Sequence, residues 1–361
     1  MQIRFIDDEQ SGQQFNRVLR ERVDAYFKEN KISKYGNSTI VLKTLVLLMG
    51  YIAPFVVMLT VNLPLYMNYM LWLIMGFSLA GIGMSVMHDA NHGAYSSNRV
   101  VNFLMAHSLN LLGGCVSNWK IQHNVLHHSF TNIPTVDDDI DDKLFFRFSS
   151  HGKNKWILRF QYIYCFFFYG LTSLYWAVGK DFVQFFLYSK EHHIRLSGMK
   201  KFMAFMQILL YKIIYFTVIL IIPIFVLGMD GLHFFMGWLL MHFVAGITLT
   251  VVFQLAHVVE STEQPFPDDK GVIHDAWVVH QLKTTCNFSR SNKLLSWYVG
   301  GLNFQVEHHI FPNICHVHYP HIAPIVKETA HEFGVPYLEF ATFGEALSSH
   351  LKTMKRFGHD L

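Results

Sequence analysis

The chain has 361 residues, of which 52% are hydrophobic and only 15% charged, with 33 Phe and 16 Tyr. Soluble domains carry about a quarter charged residues, so this balance excludes an ordinary globular enzyme and fits a polytopic membrane protein with a sizeable polar portion. A net charge of +3, with no Arg-rich stripe or groove-reading motif, excludes nucleic acid as a partner.

Residues 1–39 are polar and mixed in charge, with Arg17, Arg20, Arg22, Lys28, Lys31 and Lys34. They lack the short apolar core of a signal peptide and read as a cytosolic arm. From Thr44 to Met87 there are 44 residues without one Asp, Glu, Lys or Arg. That is about twice the ~20 needed to cross a bilayer, and Asn62-Leu63-Pro64 supplies a turn in the middle. Residues 40–87 are therefore expected to form a helical hairpin, with Lys43 snorkelling at its entry. A second hairpin is expected over 205–257, turning at Gly228-Met229-Asp230-Gly231, with Lys212 inside its first helix.

Nearly all Lys and Arg lie in the N-terminal arm, in 120–201 and in 260–361. The positive-inside rule puts these three segments, and both termini, on the cytoplasmic side. Two further apolar stretches, Val100–Trp119 and Phe160–Gly179, have basic residues at both ends: Arg99 and Lys120, Arg159 and Lys180. If either crossed, histidines that form one set would be parted. They are expected to lie in the membrane plane, with Phe166–Tyr169 and Tyr175-Trp176 at headgroup depth. The last 100 residues are polar and broken by prolines. With no repeat, linker or low-complexity run, the expectation is a single domain over 1–361: an all-α polytopic membrane protein with four transmembrane helices in two hairpins, interfacial helices, and a histidine-rich cytosolic cap formed by 88–204 and 258–361. Cys115, Cys165, Cys286 and Cys315 are isolated and read as free thiols in a reducing compartment.

The chemistry sits in three histidine clusters. His88 and His92 are four apart, as are His123 and His127, so each pair shares a helix face. His128 lies about 100° further round an α-helix. Gln305-Val306-Glu307-His308-His309 ends in another adjacent pair, with Gln305 where a further histidine would complete the pattern. The topology brings all of them to one face, where His257 also emerges from the fourth span. Eight histidines suffice for two metals with about four nitrogens each, and imidazole suits iron, zinc, copper or nickel. Neutral ligands need outer carboxylates to accept their second ring N–H. Asp89, Glu260, Glu307 and the runs Asp137–Asp139 (Asp138 at its centre) and Asp141–Asp142 are placed for that.

Other histidines read differently. His192-His193 fits an interfacial loop, and His107 and His242 fit satisfied positions on apolar helices. His316, His318 and His321 stand close enough behind the third cluster for an outer role. A single Glu328-x-x-His331 excludes the soluble carboxylate di-iron bundle, which needs two such motifs.

HDANH, HNVLHH and QVEHH, in that order and each of the outer two preceded by an apolar hairpin, resemble the boxes of the membrane-bound fatty acyl desaturases. The likeness covers about residues 40–340 and includes Ser129-Phe130-Thr131-Asn132 and Ile310-Phe311-Pro312. It implies four spans, a cytosolic cap, two iron ions, and oxygen-dependent insertion of a cis double bond into an acyl chain carried by CoA, a lipid or an acyl carrier. It also implies an external electron donor, ferredoxin or cytochrome b5; the 361 residues contain no HPGG haem motif. Lys143, Arg147, Lys153, Lys155 and Arg159 are candidates for an acidic donor's dock, or for the dock of a phosphate-bearing acyl carrier. Gln305 resembles the front-end desaturases and is expected at the metal site, directly or through water. A di-iron hydroxylase of alkyl or lipid chains would share these ligands. A metal or haem transporter would instead hold them at mid-bilayer.

Overall fold

The computed structural model describes residues 3–7, 10–142 and 145–359. Among them four helices are long and apolar enough to cross a membrane: Ser38–Thr60, Leu65–Asn91, Gly198–Val226 and Gly231–His257. At 1.5 Å per residue, the 27 residues of the second and fourth reach about 40 Å, more than a ~30 Å hydrocarbon layer. Local chemistry sets their ends. Asn37 caps the first by accepting from the Thr39 amide at 2.9 Å, and Pro64 precedes the second. Gly228 takes a left-handed φ of 69°, and Asp230 accepts from the His233 amide at 3.0 Å to open the fourth. The third begins at Gly198, earlier than the expected position 205.

The second helix packs between the first and the fourth. Trp72 is buried there, its ring 5.0 Å from Phe234. Residues 161–175 form a helix along the fourth span, and Gly246 permits the approach. A Cβ at Gly246 would stand 2.6 Å from the Gly170 carbonyl oxygen.

Four expectations are corrected. Lys43 does not snorkel: it is buried, its Nζ 2.6 Å from His316 Nε2 and 5.4 Å from the Trp297 ring centre. Lys212 neither snorkels nor marks a later entry. It is buried against Asp181 at 2.6 Å, and donates to the carbonyls of Trp176 at 2.7 Å and of Gly113. Both cations found partners on distant segments, which a local hydropathy reading cannot see. Val100–Trp119 is not one helix: Arg99–Leu112 ends at Gly113 (φ 76°), and Val116–Phe130 departs at 102°. Tyr169 does not stand in an exposed aromatic band: it is buried at 1% exposure, its hydroxyl 2.9 Å from His350 Nε2.

The fold is mostly helical but not purely so. Arg4–Phe5 pairs in parallel with Val272–Ile273, and Cys286–Phe288 with Leu338–Phe340. These strands of two and three residues are too short to show an alternating pattern in sequence. The Ser11–Glu29 helix lays Phe15, Leu19 and Val23 on Ile322 and Val326 of Tyr319–Glu332. The four cysteines are free and buried.

Candidate metal centre

The second span ends in a π-helical turn, Ile82–Met87, that runs into His88-Asp89-Ala90-Asn91. Lys120–His127 is π-helical as well. Because a π-turn closes i to i+5, residues four and five onward straddle the starting direction. His127 and His128 therefore both face the side that His123 faces. An α-helical spacing puts His128 about 100° further round yet still within reach of a metal beside that face.

These elements, the end of the fourth span and the short helix Gln305–Ile310 converge on one buried point. One ring nitrogen from each of His88, His92, His123 and His308 lies within 4.8 Å of the others, and the same holds for His127, His257 and His309. His88 Nε2 and His123 Nε2 approach to 3.2 Å. His128 stands between the groups, its ring 4.7 Å from His92 and His308 and 4.5 Å from His309. All eight histidines named from the sequence are thus brought together.

The outer ring nitrogens are held by the protein. His127 Nδ1 meets Asp137 Oδ2 at 2.8 Å, and His123 Nδ1 meets Asp139 Oδ2 at 3.1 Å. His309 Nδ1 lies 2.9 Å from Gln281 Oε1, His308 Nδ1 3.1 Å from the Tyr319 hydroxyl, and His257 Nδ1 3.3 Å from the Thr284 carbonyl. An imidazole whose Nδ1–H is donated outward keeps the Nε2 lone pair free for an ion. The Nε2 atoms of His92, His127, His128, His257, His308 and His309 are buried without a hydrogen-bond partner. Orphaned acceptors of this kind are costly, and six facing inward fit imidazole-seeking transition metals rather than magnesium or calcium. Burial, and then the neighbouring rings, hold His308 and His309 well below the ordinary imidazole range, in the neutral form a metal needs. Trp119 and Phe253 wall the group, their rings 4.5 Å from His123 and 5.1 Å from His127.

The remaining expected residues are placed as follows. Asp89 is buried with Oδ1 3.9 Å from His88 Nδ1, while its Oδ2 accepts from Cys315 Sγ at 3.0 Å and pairs with His316 Nδ1 at 2.8 Å. Asp138 accepts from the Tyr188 hydroxyl at 2.6 Å and from Gln184 at 3.1 Å, whereas its two neighbours hold imidazoles. Glu307 is buried but accepts from Tyr337 at 2.7 Å and Asn287 at 2.9 Å; burial pushes its carboxyl up to about 7. Glu260 sits at the surface 3.8 Å from Lys352. Gln305 is buried at the start of the helix bearing His308 and His309. Sequence reasoning missed Gln281, Thr284, Tyr319, Trp119 and Phe253. Nothing in their local spacing marks them.

A model of the fatty acid desaturase family matches residues 64–341. The chain belongs to that family. It is 35% identical over 95% of its length to the sn-1 linoleoyl-lipid 6-desaturase of Arthrospira platensis, covering 92% of that protein. Identity is 33% with the protein of the same name in a Synechocystis species, over 95% of both chains. With the acyl-lipid (8-3)-desaturase of Physcomitrium patens it is 34%, over 96% of this chain and 72% of that one. This desaturase is accordingly an oxygen-dependent oxidoreductase acting on fatty acyl chains, which sets aside the hydroxylase and transporter alternatives. Its histidine groups fit the di-iron centre that the family resemblance implied.

Proposed function

We propose that the enzyme inserts a double bond into a lipid-bound acyl chain at two irons held by His88, His92, His123 and His308 on one side and His127, His257 and His309 on the other, with His128 between them. The observation that carries this reading is the six buried, unpartnered Nε2 atoms in and between two adjacent groups of histidine nitrogens. Two irons held there would activate oxygen with electrons from an external donor and remove hydrogens from adjacent CH₂ groups. The protein's own work is orientation. Asp137 and Asp139 fix the tautomers of His127 and His123, and Tyr319, Gln281 and Thr284 do the same for the third box and the fourth span. Trp119 and Phe253 exclude water from the imidazoles and give the acyl chain an apolar wall. Asp89, and at one remove Asp138 and Glu307, form the outer polar layer, and Gln305 borders the site.

The four apolar helices form two membrane hairpins in a single domain, with the cap, both termini and the metal centre on the cytoplasmic side. The Lys and Arg distribution supports that orientation. The names of the relatives support a front-end specificity, with the new double bond on the carboxyl side of an existing one. Ferredoxin or cytochrome b5 supplies the electrons.

The test combines iron content with mass-spectrometric location of double bonds in cells fed linoleate or stearate. A product with the new bond on the carboxyl side of the linoleate double bonds is expected. A product from stearate alone would defeat the front-end reading and leave the desaturase standing. Gln305→Ala should retain iron and lose most turnover if that side chain serves the site. Unchanged turnover would remove it from the centre.

A further inference from the structure

The surface expected to dock an electron donor is differently built in three dimensions. Arg147 is buried, donating to the Phe357 carbonyl at 2.8 Å and the Ser150 carbonyl at 2.7 Å, and Lys143 lies outside the described residues. What remains is Lys153, Lys155 and Arg159, all exposed, around a short 3-10 helix Trp156–Phe160. The C-terminal helix Phe343–His359 packs onto it through Gly358, which meets the Leu158 carbonyl with no room for a side chain. That contact brings Lys355 alongside, its Nζ 5.6 Å from the Tyr162 ring centre.

Two features separate this edge from an ordinary charged surface. Residues 151–180 and 346–359 contain no Asp or Glu, and Asp142 nearby is turned inward, accepting from the Phe148 amide at 2.7 Å. Among the cations sit large apolar side chains with nothing over them: Trp156 is 74% exposed and Phe160 46%. The row continues with Ile163 and Phe167 at 62% and 57%, a helical stripe of spacing four, three and four. It has a direction. Just past Phe167 on the same helix, Tyr169 reaches His350, which holds the Val258 carbonyl at 2.7 Å beside the cap end of the fourth span. Further along, Ser173 meets His242 at 3.0 Å, near the middle of that span. Cations at cap level and an apolar stripe descending from them match a bilayer boundary, with a Trp at the join.

We infer that Lys153, Lys155, Arg159 and Lys355, with Trp156 and Phe160 inserted beside them, form a docking edge for the anionic phosphate headgroups of the bilayer. A protein donor would need a flat face; a stripe running down into the apolar layer would leave it half its contact in hydrocarbon. The inference rests on the four-span reading. The edge would draw anionic lipid to the flank of the helix that packs along the fourth span, coupling local lipid composition to the enzyme.

The enzyme is reconstituted in phosphatidylcholine vesicles containing spin-labelled phosphatidylglycerol or spin-labelled phosphatidylcholine. The wild type should prefer the anionic label, and Lys155→Gln/Arg159→Gln/Lys355→Gln should lower that preference by up to about five-fold per cation removed. Iron content and the donor's KM should not change. Trp156→Phe should remove a fluorescence component quenched by lipids brominated near the headgroup. An unchanged lipid preference in the triple variant, or no change in quenching, overturns the inference. A raised donor KM with lipid preference intact would give the edge to the electron donor instead. Release of the wild type by alkaline carbonate would defeat the four-span reading itself, a result distinct from loss of selectivity in a protein that stays inserted.

Discussion

His242 and His309 are both fully buried, yet their surroundings are opposite. Within the bundle, His242 has both ring nitrogens engaged, Nδ1 with Ser173 Oγ at 3.0 Å and Nε2 with the Tyr215 hydroxyl at 2.6 Å, and Tyr215 also accepts from Trp238 at 2.9 Å. In the cap, His309 has its Nδ1 engaged and its Nε2 bare, and His127, His257 and His308 are the same. Burial and residue type therefore do not tell the two apart. Counting hydrogen-bond partners does.

The widest gap should come from deleting imidazoles of the two kinds. His127→Ala, His128→Ala, His308→Ala or His309→Ala should abolish turnover and lower bound iron, whereas His192→Ala, His193→Ala and His242→Phe should keep both. His242→Phe should cost about 1–3 kcal/mol of stability, because Ser173 and Tyr215 lose a partner. Iron per protein, product yield and a thermal melt decide this, and full activity in His127→Ala would sink the ligand assignment. Metal analysis must accompany each assay, since zinc stands above iron in affinity and an overproduced protein can carry it.

Lys212 tests the satisfied side. Lys212→Met leaves the Asp181 carboxylate buried beside no cation, and should destabilise the protein by about 3–5 kcal/mol without removing iron. Lys212→Met/Asp181→Asn should recover part of that loss. A double variant no more stable than the single would show that the pair is not coupled.

Asp137 tests the orienting layer. Asp137→Asn keeps the shape beside His127 but weakens its grip on the Nδ1 proton. Iron affinity should fall by roughly 10–100-fold, read by competition with a chelator. Asp138→Asn, whose carboxylate faces Tyr188 and Gln184, should leave iron affinity near wild type. Equal effects at both positions would contradict the division of labour seen in the structure.

The smallest expected effect is a pH dependence set by satisfied histidines outside the spans. Burial lowers His280 and His350 to about 4 from the ordinary 6.5. The unfolded chain then takes up protons first as pH falls, so their contribution is complete above about 6.5 and is lost on acidification toward 4. Melting temperature should decline across that window, and less steeply in His350→Gln. A flat profile would show that these side chains stay solvated.

Much of the site was legible because histidine spacing is a local property. Residues four apart share a helical face whatever the rest of the chain does, and long uncharged runs state their own preference for an apolar environment. That was enough to gather His88, His92, His123, His127, His128, His257, His308 and His309. The π-turn that brings His128 squarely into the site was not legible, since α- and π-helical closure use the same residues. Nor were the outer partners. The sequence marks the run Asp137–Asp139 with Asp138 at its centre, yet Asp137 and Asp139 hold the imidazoles and Asp138 holds Tyr188, because the choice depends on which way each carboxylate points after the loop folds. Glu307 adjoins His308 in sequence yet faces Tyr337, while Gln281, with no local signal, reaches His309.

What the sequence determined by itself was the solvent each segment wants and the side chains each turn presents, because both follow from neighbours within a few residues. What only the tertiary structure decided was who meets whom: Lys43 with His316 across 273 positions, Arg147 with the C-terminal helix, Lys355 with the aromatic edge of 156–162. Those contacts arise when surfaces from distant segments pack. A buried charge or lone pair then takes whatever partner that packing brings within reach, since remaining alone costs more than any local preference can offset.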